Sequence, residues 1–480
     1  MTLIFGRGLF PVPTIRLATA VRHFHFIGIC GTAMGSVAAA MKRAGFEVTG
    51  SDANVYPPMS TFLESEGIEL FEGYRRENIP ASADTIIVGN AVSRGNEEAE
   101  EVLDRKLLYQ SLPEVLKEHF LRGKRNLVIA GTHGKTTTSS LVAWLLKAAG
   151  RNPSHMIGGV PKNFERGAEF TDSEFVVLEG DEYDTAFFDK RSKFLHYLPE
   201  VAVINNIEFD HADIYADLDA VLLTFSRLLR IVPGNGVAFL NGDCANSLTL
   251  VEAAPCPIQL VGMGENCQVR ISEITGADGG TSFQLNGESF FLPMTGEFNV
   301  RNAAMAVCVA RQAGLSEEEI REGLASFAGI KRRQEVRGEV RGVTVIDDFA
   351  HHPTAVEQVI DGLRQGYPGR RLLVILEPRS NTMRQEAHKG NLAGALAKAD
   401  LAVVPPVLEV GQIAQEALLD VPQLIADINA AGGDARSISN VEDIVAWTVA
   451  EAREGDLVAV LSNGGFGGIH PKLLEALASS

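Results

Sequence analysis

Gly131-Thr132-His133-Gly134-Lys135-Thr136-Thr137 constrains this chain more than any other stretch. The apolar run Leu127-Val128-Ile129-Ala130 precedes it and reads as a buried strand, and residues 139–146 read as a helix. Strand, glycine turn, Gly-Lys-Thr and helix form the context of a phosphate-binding loop. Glycines let backbone N–H groups turn toward phosphate oxygens, and the helix N-terminus adds its own N–H groups and partial positive charge. Lys135 is placed to reach the β- and γ-phosphates, and the Thr136 hydroxyl to ligate Mg2+. The loop is a shortened variant, because Ile129 stands where the usual pattern has its first glycine.

A chain of 480 residues predicts about three domains on length alone. Lys plus Arg number 43 and Asp plus Glu 61, a net charge of −18, which argues against a nucleic-acid or anionic-membrane partner. The five cysteines, Cys30, Cys244, Cys256, Cys267 and Cys308, include no C-x-x-C pair. That pattern favours reduced thiols in a cytoplasm over disulfides or a zinc site. Residues 1–22 carry Arg7, Arg16 and Arg22 and no acid, but Pro11 and Pro13 break the apolar stretch, so they read as a tail. No run of ~18 apolar residues offers a membrane span.

Three α/β segments follow one another: 23–122, 123–328 and 329–480. The first opens with strand His23–Ile27 and the turn Gly28-Ile29-Cys30-Gly31-Thr32-Ala33-Met34-Gly35; a later strand ends in Ser51-Asp52. A glycine turn with an acid about twenty residues on suggests dinucleotide binding. However, Cys30 and Ala33 occupy the second and third glycine positions, leaving a nucleotide-diphosphate site at a strand–helix turn. Residues 236–292, with short alternating runs and glycines, read as an antiparallel flap on the middle segment. The last segment alternates strands such as Val343–Ile346 and Leu372–Leu376 with helices, again an open parallel sheet.

Chemistry-bearing residues gather just past the strands, where open α/β sheets bind ligands. Glu179, Asp181, Glu182 and Asp184 follow Phe175–Leu178 and suit Mg2+, which prefers hard oxygen donors. Asn205-Asn206-Ile207-Glu208-Phe209-Asp210-His211 follows the next strand, and His211 is a metal-ligand candidate if the two strand ends are adjacent. Asp347-Asp348-Phe349-Ala350-His351-His352-Pro353 follows strand Val343–Ile346, and the basic trio Lys331-Arg332-Arg333 just before it could clamp phosphate or equally be a surface charge run. Arg379, within Glu377-Pro378-Arg379-Ser380-Asn381-Thr382, offers planar recognition of a carboxylate.

Together, A-G-T-H-G-K-T-T-T at 130–138, E-x-D-E-x-D at 179–184, N-N-I-E-F-D-H at 205–211, N-x-x-N-A-A at 299–304, R-R-Q-E at 332–335 and D-D-F-A-H-H-P at 347–353 resemble the Mur ligase family. These are ATP-dependent amide-bond ligases of bacterial cell-wall synthesis. The resemblance implies a Rossmann-like N-terminal domain, a central P-loop ATPase-like domain and a Rossmann-like C-terminal domain. It implies that residues 131–137 cradle ATP and that Thr136 ligates one Mg2+. It further implies that Glu179 and His211 hold a second Mg2+, that Asn302 contacts adenine, and that Arg333 with Asp348 completes the ATP site. It places a UDP-sugar at Gly28, Cys30, Gly31, Thr32, Met34, Ser51, Asp52 and Asn90. Some members carry a carbamylated lysine about fifteen residues after the His; position 226 is Ser, so none is expected there.

Two branches of the family are in play. One adds L-alanine to UDP-N-acetylmuramate; the other joins the recycled murein tripeptide L-alanyl-γ-D-glutamyl-meso-diaminopimelate to the same acceptor. Gly28–Thr32, Ser51–Ser60, Glu377–Thr382 and Ser462–Gly468 resemble the peptide-joining branch, with Arg379, Ser380 and Asn381 as peptide contacts. The reaction expected is a cytoplasmic, ATP- and Mg2+-dependent ligation through an acyl phosphate. A nucleotide-dependent switch or transport ATPase would use the same loop, and an NAD-linked oxidoreductase would use the first domain. Phosphate release that requires both acceptor and amine donor separates the ligase from either.

Overall fold

The computed structural model describes residues 22–210, 214–277, 279–380, 383–384, 389–407 and 418–480. His211, Asn381 and the tail up to residue 21 lie outside the described residues. The chain forms two compact units that divide between Gln110 and Ser111.

The first unit is built on a five-stranded sheet in the spatial order Glu69–Glu72, Glu47–Asp52, His23–Ile27, Thr85–Val88, Tyr109–Ser111. His23–Ile27 pairs in parallel with both of its neighbours, and Glu47–Asp52 in parallel with Glu69–Glu72. His23–Ile27 is buried along its whole length, as a strand covered on both faces must be. Gly28, at φ +85°, then turns the chain into the helix Thr32–Arg43.

The second unit holds two main sheets and a two-stranded ribbon of Asp184–Ala186 with Asp189–Ser192. The larger has ten strands, and its centre is the parallel set Phe175–Gly180, Arg125–Ala130, Val201–Ile204 and Val237–Asn241. Continuous apolar runs produce these strands, and Leu127–Ala130, Val176–Leu178 and Val201–Ile204 are fully buried. Their register is level: Ala130 lies opposite both Gly180 and Ile204. The phosphate loop, the acidic run and the Asn205-Asn206 segment therefore leave the sheet side by side. Helix Lys135–Ala148 packs against helices Glu297–Gln312 and Glu317–Ala325, and Trp144 Nε1 donates to Gly323 O at 3.0 Å.

The expected flap at 236–292 is corrected. Val237–Asn241, Ile258–Gly262 and Val269–Ala277 extend the parallel sheet, and antiparallel pairing begins only where Gly280–Leu285 and then Glu288–Leu292 add to Val269–Ala277 as the far edge of the same sheet. Glycines and alternation marked the turns and the edge, but apolar pairing with the central strands fixed the first two.

The smaller sheet has the order Glu335–Val340, Val343–Asp348, Leu457–Leu461, Leu372–Leu376, Leu401–Val403, Ala435–Arg436. All its pairings are parallel except that of the edge strand Glu335–Val340 with Val343–Asp348. Ile346 and Val374 enter one apolar layer with helix Pro353–Gly366, while Val345 and Ile375 enter a second layer with helix Ile469–Ser479. Both faces of the sheet are thus covered. The α/β architecture expected from the sequence is the one the chain adopts.

Candidate active site

The phosphate loop leaves strand Arg125–Ala130 through Gly131 at φ +130° and enters helix Lys135–Ala148 through Gly134 at φ +80°. Only glycine fits the second position, since a Cβ there would overlap the Asn302 amide oxygen. Asn302 Oδ1 also accepts from Thr138 Oγ1 at 3.3 Å, so helix Glu297–Gln312 presses this side chain directly onto the loop.

Lys135 Nζ donates to Gly131 O at 2.7 Å, to Thr132 O at 3.1 Å and to Glu182 Oε1 at 3.0 Å. Burial works against its charge, but Glu182 and Asp181 outweigh it and hold the ammonium above its ordinary pKa. Thr136 Oγ1 donates to Glu179 Oε1 at 2.8 Å, and Gly158 N to Glu179 Oε2 at 2.7 Å. Burial pushes the Glu179 carboxyl above the usual carboxylate range, partly offset by Gly158 N–H and Lys135. The hydroxyl and the carboxylate are adjacent hard oxygen donors, a set that fits Mg2+.

The next loop braces the first. Asn206 Oδ1 accepts from His133 N at 2.7 Å, and Thr132 Oγ1 accepts from Glu208 N at 2.9 Å. Asn205 Nδ2 donates to Thr138 Oγ1 at 3.0 Å, and Asn241 Nδ2 to Asn205 O at 2.8 Å. Thr137 is buried in the first turn of the helix. Ser226 lies buried on helix Leu218–Arg230, so no lysine stands at that place.

The 329–480 segment meets the loop directly. Thr354 Oγ1 donates to Glu208 Oε2 at 2.8 Å, and the His133 and His352 rings lie 5.0 Å apart. Asp348, buried, accepts from Gln334 N at 2.7 Å and Ala350 N at 2.8 Å. Burial raises its pKa, and Arg333 opposes that rise. Arg333 lies over the Phe349 ring at 5.0 Å.

The basic trio does not act as one clamp. Arg332 Nη2 donates to Ser462 O at 2.6 Å and Gly464 O at 2.7 Å, which fastens this segment to the end of strand Leu457–Leu461. Ser380 Oγ donates to His351 O at 2.8 Å and so ties its loop to the same region. Arg379 is exposed and makes no ion pair among the described residues; its guanidinium lies against Gly464, where any Cβ would overlap it.

In the first unit, Gly28 N and Ile29 N both donate to Ser51 O, and Cys30 N donates to Asp52 Oδ2 at 2.9 Å. Gly31, Thr32 and Asn90 are exposed around this turn. Ser51 and Met34 point into the core instead: the Ser51 hydroxyl is fully buried on Glu98, and Met34 packs beside Gly31. Burial, then Asp52, pushes the Cys30 thiol up to about 11.

Sequence reasoning placed Glu182 among the Mg2+ carboxylates and not as the partner of Lys135, gave Glu208 no role, and missed Arg332 as an anchor. An acid three residues beyond the candidate metal ligand Glu179 was the available signal for Glu182. For Glu208 and Arg332 the partners come from distant segments, and spacing carries no such signal.

Three family descriptions match consecutive stretches: Mur ligase family, catalytic domain, over residues 23–124; Mur ligase middle domain over 129–310; and Mur ligase, glutamate ligase domain over 332–464. The chain belongs to the Mur ligase family. It is 43% identical over 460 residues to the UDP-N-acetylmuramate–L-alanyl-γ-D-glutamyl-meso-2,6-diaminoheptandioate ligase of Escherichia coli K12, covering 95% of this chain and 98% of that protein. Identity to the UDP-N-acetylmuramate–L-alanine ligase of Rhizobium etli is 33% over 483 residues, covering 97% and 99%. The crystal structure of a murein peptide ligase from Psychrobacter arcticus 273-4 superimposes with a TM-score of 0.67 at 36% identity, over 96% of this chain and 99% of that one.

Proposed function

We propose that this chain is the ATP-dependent ligase that joins L-alanyl-γ-D-glutamyl-meso-diaminopimelate to UDP-N-acetylmuramate in peptidoglycan recycling, in the cytoplasm. Among the described residues, no helix is long and apolar enough to cross a membrane. The working division is a UDP-sugar domain at 23–122, an ATP domain at 123–328 and a ligase domain at 329–480. The observation that carries the reading is the meeting of Lys135, Thr136 and Glu179 at level strand ends, with Thr354 of the last segment bonded to Glu208 beside them.

ATP phosphates lie along residues 131–137, where the loop N–H groups and Lys135 oppose their charge. Asn302 and Asp348 bound the nucleotide, and Arg333 faces the transferring phosphoryl group. Thr136 would hold one Mg2+ and Glu179, with His211, a second; when bound, these ions would neutralise phosphate charge. The muramate carboxylate attacks the γ-phosphorus, the bond from that phosphorus to the β,γ-bridging oxygen breaks, and ADP leaves as the acyl phosphate forms. The tripeptide amine then attacks the acyl carbon, phosphate leaves, and the ammonium proton goes to solvent. No covalent enzyme intermediate is needed.

The UDP-sugar sits at the turn formed by Gly28, Cys30, Gly31 and Thr32, with Asp52 and Asn90 beside it; Ser51 and Met34 support that turn from below. Arg379 pairs with a tripeptide carboxylate, Ser380 fixes its loop, and Asn381 completes the contact. Mass spectrometry of the product when L-alanine and tripeptide compete tests the reading. A tripeptide product supports it. An alanine product would leave only the family.

A further inference from the structure

His133, Glu208 and His352 come from three separate segments: the phosphate loop, the loop after strand Val201–Ile204, and the start of helix Pro353–Gly366. One ligand atom from each lies within 4.8 Å of the others. His133 Nε2 is 3.4 Å from Glu208 Oε2, and His352 Nδ1 is 3.9 Å from the same oxygen. A tetrahedral zinc site with bonds of ~2.0–2.2 Å places its ligand atoms ~3.3–3.5 Å apart. One of the three edges, at 3.4 Å, is therefore at the required length before any ion enters, and the 3.9 Å edge needs a contraction of only about 0.4 Å.

The geometry points to a binding site for one first-row transition-metal ion of the Zn2+ class at His133, Glu208 and His352, separate from the Mg2+ site and joining the phosphate loop to the last domain. Two imidazoles and one carboxylate are the donors such ions select, whereas Mg2+ prefers oxygen alone. The surroundings already orient the donors. Thr354 Oγ1 donates to Glu208 Oε2 at 2.8 Å, and Asn206 Oδ1 holds the His133 backbone at 2.7 Å. His352 Nδ1 accepts one long bond from Thr354 N, 3.3 Å, which the ion would replace. His352 is buried and the other two ligands are half-buried, so the fourth position is open to water or to a phosphate oxygen. An ion here would fasten the loop to the last domain through strong bonds where the present seam has hydrogen bonds.

The test is calorimetric titration of the full chain with ZnCl2, in excess Mg2+ and without nucleotide, alongside Co2+ absorption spectra. Because the readout is binding, it is independent of the ligase reading. We expect one Zn2+ per chain and the intense visible bands of four-coordinate Co2+. Glu208→Gln and His352→Gln should each weaken Zn2+ binding about tenfold or more, as lost or displaced donors do. Glu179→Gln, at the Mg2+ site, should leave it unchanged. Should His352→Gln fail to fold, Glu208→Gln and His133→Gln decide. Absence of saturable binding overturns the proposal, as does Zn2+ binding that is lost in Glu179→Gln and retained in Glu208→Gln.

Discussion

Lys135 Nζ and Glu182 Oε2 form an ion pair of 2.9 Å, with only 14% and 3% of their side chains exposed. The lysine that the phosphates need is thus neutralised inside the protein. Removing one member of a buried pair leaves an uncompensated charge, at a cost of about 3–5 kcal/mol. Lys135→Ala should lower turnover by ~10²–10³ through the lost phosphate contact and also lower the melting temperature. Adding Glu182→Gln to that variant should restore stability and leave turnover low. Turnover near wild type in Lys135→Ala would remove the phosphate-loop assignment.

Glu179 accepts from Thr136 and Gly158, at the end of the strand next to the phosphate loop. Glu179→Gln and His211→Ala should each raise the Mg2+ concentration needed for activity. If they share one ion, a double-mutant cycle will be non-additive. Simple additivity with an unchanged Mg2+ curve would refute the shared ion.

His351 is held down to about 4 from an ordinary 6.5, chiefly by burial, with Phe349 O opposing and Arg333 assisting. Its folded pKa lies below its unfolded one, so the unfolded chain binds more protons between these values. Stability from this group is therefore present above about 6.5 and is lost as pH falls toward about 4. His351→Gln, which keeps a donor for Phe349 O, should flatten the melting temperature's fall over that window. An unchanged slope would show that His351 is not the titrating group.

Arg379 rests against Gly464 with no acid to pair with among the described residues. Arg379→Lys should raise KM for tripeptide by about tenfold, since a charge-assisted bond contributes roughly 1.5–3 kcal/mol. Its effect on KM for ATP should be small. Gly464→Ala should act in the same direction, because its Cβ displaces the guanidinium. If both constants rise together in both variants, Arg379 serves only its own loop.

Much of this site could be read from the chain because its residues are consecutive. Strand, glycine turn and Lys135-Thr136 are one local pattern, and the acidic run directly follows an apolar strand. What could not be read depends on pairing across distance. That Asn302 closes over Gly134 follows from helix packing, and no spacing encodes it. The family resemblance implied Ser51 as a UDP-sugar contact beside Asp52. The pleat turns its hydroxyl inward onto Glu98, which a sequence of short polar residues does not reveal. By charge alone the basic trio could be a clamp or a surface charge run; in the fold Arg332, at φ +61°, turns to Ser462 and Gly464.

The level register of the central strands makes the sheet a ruler for the chemistry above it. Ala130, Gly180 and Ile204 end their strands at one height, so short side chains such as Thr136 and Glu179 meet without long reaches. One residue inserted into any of these strands would shift its loop by about 3.3 Å and turn its side chains to the opposite face. The length of these strands is therefore bound to the chemistry as tightly as the identity of Gly134 and Lys135 in the loop above them.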